Sequence, residues 1–505
     1  MRPLVTPEEM AAAEKAAIDS GTPVEELMDR AGRAVARTAI RMMEGRYGKK
    51  VAVVCGKGNN AGDGYAAARI LRREGVAVRC IAIAPPSELA GAARYHYDLA
   101  QKAGVSVTPF DGNELDSDLV IDAIYGTGLT PRPDGVPEEY FKAIQLLGHD
   151  RGAALILSID VPSGISGEFG PIMSPVHADV TVTFGAEKVG TFLAPPEYTG
   201  QVEIADIGIK CEGEIDVLER ANVADLMPHR PIDSHKRSSG SVLVIAGSDA
   251  MPGAAALVVR GAMRAGCGYV TVACTEKVGR IVNELCPEAL VQVVTSKDHL
   301  DPSILERLSS VIERSTIVVV GPGLGTGDDQ SALVRAVIGE VDLPLILDAD
   351  GLNALPGGIE HLQGRKRVTA ITPHPAELAR LMDANPNEVD DRLGAARAAA
   401  RRSGCEVLLK GFRTVIVGPD SRTYVNPTGG PELATAGTGD VLTGVVATFL
   451  GSSPDENYTE SVAAAAYIHG LAGSLAAETG DQGIVAWDVA EALPRTMDLV
   501  RSDAS

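Results

Sequence analysis

Apolar residues along this chain gather in short unbroken runs rather than in strict alternation with polar ones. In the first half the runs are Val51–Cys55, Val78–Ala84, Leu119–Ile124, Leu155–Ile159, Val180–Phe184 and Val202–Ile207, each of strand length. Such strands belong in a parallel sheet covered on both faces, where neither side of the pleat meets water. Helical or loop segments separate them, which makes the first half a doubly wound α/β domain. Ahead of it, Pro7–Tyr47 reads as helical with a break at Ser20-Gly21-Thr22-Pro23, where Thr22 is placed to cap and Pro23 to open the second helix. Gly56–Gly64 reads as a glycine-rich crossover loop leading into a helix over Tyr65–Glu74.

The rhythm breaks between Cys211 and Ser239. Glu212–Asp225 is polar and acidic, and Pro228-His229-Arg230-Pro231 cannot continue a regular element. The expected domains are therefore residues 1–211 and 222–505. Strands restart at Ser241–Ala246 and continue at Tyr269–Ala273, Thr316–Val320, Leu345–Leu347, Val407–Leu409 and Thr414–Val417. Helices are expected in the gaps, notably over Asn387–Arg402, Val441–Leu450 and Glu460–Glu478. No internal repeat links the halves, so they are two different α/β domains. A length of 505 residues agrees, being more than one ordinary core accommodates.

Composition narrows the partners. Hydrophobic residues at 45% and charged residues at 22% describe a folded globular chain. A net charge of −21 argues against a nucleic-acid surface, so any anion must be held by a local dipole rather than by the overall field. No run approaches the roughly 20 apolar residues of a membrane span. Met1 to Glu14 lacks the apolar core of a signal peptide. Seven cysteines (Cys55, Cys80, Cys211, Cys267, Cys274, Cys286, Cys405) are scattered and odd in number, with no Cys-x-x-Cys spacing. Buried free thiols in a reducing compartment follow. A cytoplasmic homo-oligomer with no nucleic-acid or membrane partner is expected.

Chemistry concentrates where strands end. In the first half Gly56-Lys57-Gly58-Asn59-Asn60-Ala61-Gly62-Asp63-Gly64, Asp122-Ala-Ile-Tyr-Gly-Thr-Gly128 and Asp160-Val-Pro-Ser-Gly164 all follow strands. The first is neither a GxGxxG fingerprint nor a P-loop, and alone would indicate only a tight turn. Ligands of open parallel sheets bind outside the carboxyl ends of the strands, so three polar loops there imply convergence on one ligand. In the second half Thr435-Ala436-Gly437-Thr438-Gly439-Asp440 runs straight into an apolar helix. Two glycines bring backbone amides close to a ligand, and the helix start turns its free N–H groups and positive dipole end toward a phosphate. Asp440 beside an anion site is costly unless it handles a proton. Further strand-end loops are Met251-Pro-Gly-Ala-Ala255, Gly321-Pro-Gly-Leu-Gly325, Thr372-Pro-His-Pro-Ala-Glu377 and Lys410-Gly-Phe-Arg-Thr414. Lys410 is either a solvated edge residue or a phosphate ligand.

These motifs, in this order, carry a resemblance. The first three loops resemble the NAD(P)H-hydrate epimerases over about residues 1–211. The second set, with Asp348-Ala-Asp-Gly-Leu-Asn353, resembles the ribokinase-like NAD(P)H-hydrate dehydratases over about residues 222–505. The resemblance implies a Rossmann-like first domain, a ribokinase-like second domain, and fusion of the two activities in one repair enzyme. It also implies that Asn59, Asn60, Ala61, Gly62, Asp63, Gly126, Thr127, Gly128, Leu129, Thr130, Pro131, Arg132 and Asp160 contact the hydrated nucleotide. Asn60, Asp122 and Ser163 would hold a potassium ion. The first domains of this kind usually carry glycine where Ala61 stands, a change of one methyl. Asp160 is the candidate acid/base of epimerisation, with a positioning role as the alternative. In the second domain Ala254, Gly325, His374 and Asp440 would face the hydrate. Lys410, Gly411, Phe412, Arg413 and Thr414, with Gly437, Thr438 and Gly439, would hold ADP and its magnesium. Asp440 would then be catalytic in a phosphoryl-assisted dehydration. The competing readings are a ribokinase-like kinase of a small vitamin-type alcohol, and a first half reduced to a binding module.

Overall fold

The computed structural model describes residues 1–112, 115–129, 137–149, 154–228, 240–385, 389, 391–453, 457–478, 480 and 483–502. Its contacts divide the chain into one unit of Pro3–Ile215 and another of Asp216–Ser505 with Met1–Arg2.

In the first unit a seven-stranded sheet runs Gln201–Ala205, Val180–Phe184, Leu155–Ile159, Leu119–Ala123, Lys50–Cys55, Ala77–Ala82, Ser106–Pro109, every neighbour parallel. Chain order runs outward in both directions from Lys50–Cys55, so the topology reverses between that strand and Leu119–Ala123. The reversal opens a crevice at the carboxyl ends of these two strands. Val51, Val53, Leu119, Ile121, Leu157 and Ile159 are buried in one core with Ala31, Val35 and Ala39. Those alanines and valine, four residues apart, form the apolar stripe of the helix Val24–Met42. The helix before it, Pro7–Asp19, opens with a capping box: Glu9 N donates to Thr6 Oγ1 (3.2 Å) and Thr6 N to Glu9 Oε2 (2.7 Å). At the expected break, Pro23 itself is the extended N-cap and Val24 the first helical residue, so Thr22 does not cap.

A second correction concerns the glycine-rich loop. The helix begins at Asn59, six residues before Tyr65, and runs to Arg73. Asn59–Gly64 is therefore the opening of the helix, where Ala61 N and Gly62 N both donate to the Gly58 carbonyl (3.1 and 3.3 Å). Short strands at Arg2–Val5 and Ser106–Pro109 lay outside the sequence reading. The polar stretch expected as a connection contains a strand, Ile215–Val217, and a helix, Arg220–Leu226. Its few apolar residues Ile215, Val217, Leu218 and Val223 are all buried, enough to order it despite its charge.

In the second unit the strands pair in the order Leu290–Thr295, Tyr269–Thr275, Ser241–Ile245, Ile317–Val320, Leu345–Leu347, Thr369–Ile371, Glu406–Leu409, Val415–Val417, Thr423–Val425. Pairing is parallel through Glu406–Leu409 and antiparallel in the last two steps. The reversal point lies between Ser241–Ile245 and Ile317–Val320. The helices Pro252–Arg264 and Thr438–Gly451 cross tightly over this sheet. A methyl at Gly261 would run into the Val441 carbonyl oxygen, and one at Gly444 into that of Val258. The expected helix over Asn387–Arg402 is Arg392–Ser403, residues 387, 388 and 390 lying outside the described set.

Six of the seven cysteines are buried, and all seven are free thiols, Cys211 being half-buried. Among the described residues no helix is long and apolar enough to cross a membrane.

Candidate active sites

The first site is built where the first unit's sheet reverses. Asn60, in the opening turn of its helix, is 8% exposed and donates from Nδ2 to the Tyr125 carbonyl (2.9 Å). Tyr125 N donates in turn to Ser163 Oγ (2.9 Å). Asp122 ends its strand fully buried, and its carboxylate is ringed by donors: Ser163 Oγ (2.7 Å), Ser163 N (2.9 Å), Ser158 Oγ (3.0 Å) and Ile124 N (3.2 Å). Burial raises the Asp122 carboxyl above its usual range while these bonds pull it down. The structure thus brings Asn60, Asp122 and Ser163 together around one peptide unit.

Gly126 adjoins this cluster. A Cβ there would lie 3.2 Å from Asn60 Oδ1 and 3.3 Å from Asp160 Oδ2, so the missing side chain leaves a gap bordered by both oxygens. Asp160 follows the strand Leu155–Ile159 with φ +65°, a left-handed conformation that strains a residue with a Cβ. Its other oxygen, Oδ1, is fully used: Lys188 Nζ lies 2.6 Å away and Thr183 Oγ1 donates at 3.1 Å. Lys188 is 1% exposed and also donates to the Phe184 carbonyl (2.9 Å) and Thr183 Oγ1 (3.1 Å). Sequence reasoning missed Lys188. The available signal was a lysine just past the end of the strand Val180–Phe184, the same strand-end rule that found the three loops.

Asp63 is half-buried on the helix face of Asn60, three residues on. Burial pushes its carboxyl well above the usual range; the charges of Asp160 and Glu14 push the same way, and Lys188 opposes them. Ala61 is buried and tightly packed, while Gly128 has open space on its Cβ side. Thr127 packs beside Gly167, and Leu129 is buried. Thr130, Pro131 and Arg132 lie outside the described residues.

The second site occupies the corresponding place in the second unit. Gly247 N donates to the Pro322 carbonyl (2.8 Å), joining the two loops at the reversal point. Ala254, in the first turn of the helix Pro252–Arg264, packs near Gly323. Gly325 N donates to Asp350 Oδ2 (2.9 Å). Gly437 caps the helix Thr438–Gly451 with φ +89°, and this places Thr438, Gly439 and Asp440 in the first turn rather than ahead of it. Lys410 Nζ lies 2.8 Å from Asp348 Oδ1, 4.0 Å from Glu377 Oε2, and 3.5 Å from where a Cβ on Gly439 would be. Lys410 is therefore no solvated edge residue. Asp348, fully buried, also accepts from Thr443 Oγ1 (2.6 Å) on Asp440's own helix.

Burial pushes the Asp440 carboxyl up to about 7; Asp348, Asp350 and Glu377 add to this and Lys410 offsets part of it. Lys410 is pulled down by burial yet held above its ordinary value by Asp348, Glu377 and Asp440. His374 proves to be a helix cap: its Nδ1 accepts from Ala376 N (3.2 Å) and Glu377 N (3.4 Å), leaving the ring half exposed. Gly411, Phe412, Arg413 and Thr414 form a turn with Thr414 Oγ1 donating to the Gly411 carbonyl (3.0 Å). Arg413 Nη1 donates to the Pro427 carbonyl (2.7 Å), and its guanidinium carbon lies 5.2 Å from the ring centroid of Phe412, a residue 42% exposed.

Comparison with known proteins assigns each half. Residues 24–190 match the family described as "YjeF-related protein N-terminus", and residues 242–495 match the family described as "NAD(P)H-hydrate dehydratase". The bifunctional NAD(P)H-hydrate repair enzyme Nnr of Thermofilum pendens is 35% identical over 506 residues, covering 97% of this chain and 95% of that protein. The protein of the same name from Moorella thermoacetica is 35% identical over 93% of this chain and 91% of its own length. Among solved structures, a ribokinase-like superfamily protein of Enterococcus faecalis superposes with TM-score 0.50 at 25% identity, covering 57% of this chain and 96% of that one. Both families meet in one polypeptide, these two relatives align with it over more than nine-tenths of either chain, and the chain belongs to the bifunctional NAD(P)H-hydrate repair enzymes.

Proposed function

We propose that residues 1–211 interconvert the R and S epimers of hydrated NADH and NADPH, and that residues 222–505 return the S epimer to the dinucleotide at the expense of ADP. Water adds across the ring's enamine double bond with the hydroxyl on the carbon beside nitrogen, an epimerisable centre from which hydroxide, a poor leaving group, departs only when its oxygen is activated. The observation that carries the dehydratase assignment is Asp440 in the first turn of a glycine-capped helix, facing Lys410 over the Asp348 carboxylate. Asp440 takes the hydroxyl proton as the oxygen attacks the terminal phosphoryl group of ADP. The amides of Gly437, Thr438 and Gly439 and the charge of Lys410 meet the negative charge spread over the phosphate oxygens. Phosphate then departs with its bonding electrons, a neighbouring ring carbon gives up a proton, and NAD(P)H, AMP and phosphate result.

Ala254, Gly325 and His374, each in a loop or helix start that follows a strand, would hold the hydrate, while Lys410–Thr414 would hold the adenine nucleotide. The buried carboxylates of Asp348 and Glu377, already facing a cation in Lys410 Nζ, fit magnesium brought in with the nucleotide. Magnesium would neutralise phosphate charge there. In the first half Asn60, Asp122, Ser163 and the Tyr125 carbonyl supply an all-oxygen set suited to potassium, a hard cation. Potassium would orient the pyrophosphate-bearing substrate at the crevice.

The kinase reading fails on the first half, for which a vitamin kinase has no use and which the full-length relatives share. The experiment is to incubate the protein with hydrated NADH, ADP and magnesium. Return of the dihydronicotinamide absorbance with release of AMP is expected; a stable phosphorylated product would establish a kinase instead.

A further inference from the structure

Asp160 has one oxygen tied to a buried lysine and the other turned to the Gly126 gap. A second carboxyl stands on the neighbouring helix face. We propose that Asp63 and Asp160 act as a pair in epimerisation, Asp63 as a catalytic proton donor to the ring nitrogen and Asp160 as the base on the ring hydroxyl, with Lys188 as the positioning residue that presents Asp160 Oδ2. The assignment rests on the epimerase reading above and deepens it.

Three observations carry it. Lys188 Nζ and Thr183 Oγ1 both engage Asp160 Oδ1, so only Oδ2 is left for a ligand, and that oxygen borders the gap at Gly126 beside Asn60 Oδ1. Lys188 is itself rigid. Its backbone pairs with Val5 in a parallel bridge, its side chain is fully buried, and its ammonium is held by Thr183 and the Phe184 carbonyl. A buried cation of this kind is costly alone and needs the Asp160 carboxylate opposite it. Asp63 stands three residues beyond Asn60 on the same helix face, close enough to Asp160 and Lys188 to feel both charges.

The groups around Asp63 explain why it can donate. Glu14 on the first helix and Asp160 on its loop repel a charge there, Lys188 alone favours one, and burial outweighs it. Asp63 thus holds its proton more tightly than an ordinary carboxyl, as a proton donor must, while the contact of Asp160 with Lys188 fixes which of its oxygens meets the substrate.

The chemistry balances. Asp160 Oδ2 takes the hydroxyl proton, and the freed oxygen pair forms a carbonyl as the bond from carbon to ring nitrogen breaks. The electrons of that bond stay on nitrogen, which takes the proton of Asp63. Rotation about the adjacent carbon–carbon bond turns the other face of the aldehyde to nitrogen. Reclosure reverses each transfer, giving the opposite epimer and restoring both carboxyls.

The test uses the full chain, whose dehydratase half reports substrate quality in the same tube, while thermal unfolding of the first half reports its folding. Asp63→Asn should lower kcat for epimerisation by about 100-fold or more while KM stays within about threefold. Dehydration of the pure S epimer should be unchanged. Asp160→Asn should lose at least as much. Lys188→Met added to Asp160→Asn should then cost nothing further, because Lys188 acts only through Asp160; this double variant leaves no lone buried charge to unfold it. Full kcat in Asp63→Asn, or a raised KM with kcat intact, would reduce Asp63 to a binding residue and overturn the assignment. A further loss from Lys188→Met in the Asp160→Asn background would overturn the positioning role. A wild-type chain that leaves the epimers unexchanged would remove the epimerase reading, and this inference with it.

Discussion

Asp440 combines two demands, burial near other carboxylates and service as a base. Its carboxyl titrates at about 7, so dehydration by the free enzyme should rise with pH through about 7 and flatten above it, read from kcat/KM against pH. Stability should run the other way. A folded-state value above the ordinary 3.8 means that ionising Asp440 opposes folding, so the stability present below about pH 4 is lost as pH rises through 7. Asp440→Asn should therefore be the more stable chain at pH 8, by about 1 kcal/mol, and indistinguishable from wild type near pH 4. Urea titrations of the dehydratase transition at the two pH values decide this. The same substitution should abolish dehydration and leave epimerisation intact.

Gly126 makes the matching point in the first half. A methyl there would crowd Asn60 Oδ1 and Asp160 Oδ2 at 3.2 and 3.3 Å. Gly126→Ala should cut epimerisation by about tenfold, some 1.4 kcal/mol of activation free energy, with little change in Tm. A normal epimerisation rate would show that the gap is not where the ring sits. Both aspartates, and the glycine loops that hold them, were legible because their spacing is local. Lys188 was not, because its meaning lies in a partner 28 positions earlier across two strands.

Helices and strands were legible where the apolar run was long. Leu155–Ile159 and Val180–Phe184 stand where the pattern put them. Others gave too weak a signal: Ser106–Pro109 is a mostly exposed edge strand ending in proline, and Thr369–Ile371 and Thr423–Val425 are three residues each. The helix starts at Asn59 and Thr438 were placed late because Gly, Asn and Thr are poor helix formers. In a first turn they are tolerated, since those N–H groups have no helical partner and a ligand can take them. Backbone approach at the crossing of Pro252–Arg264 with Thr438–Gly451 fixes where Asp440 points. Gly261→Ala would force the Val441 carbonyl away, so it should lower stability by about 3 kcal/mol and dehydration more steeply than binding of nucleotide. Thermal unfolding with an ADP titration would check both.

Each half contains its own sheet reversal, its own crevice and its own proton-handling carboxylates. Separate expression of 1–215 and 216–505 should therefore give two folded proteins, the first epimerising and the second dehydrating only the S form. The fusion then matters because hydration yields both epimers and the second site accepts one. The most direct measurement is to give the whole protein a mixed pool of hydrated NADH epimers with ADP and magnesium, and to follow the dihydronicotinamide absorbance to completion at times too short for spontaneous exchange. Recovery of the entire pool by wild type, and of the S fraction alone by Asp160→Asn, is the result expected. Recovery of the entire pool by Asp160→Asn, or phosphorylated hydrate accumulating without absorbance, would contradict the account.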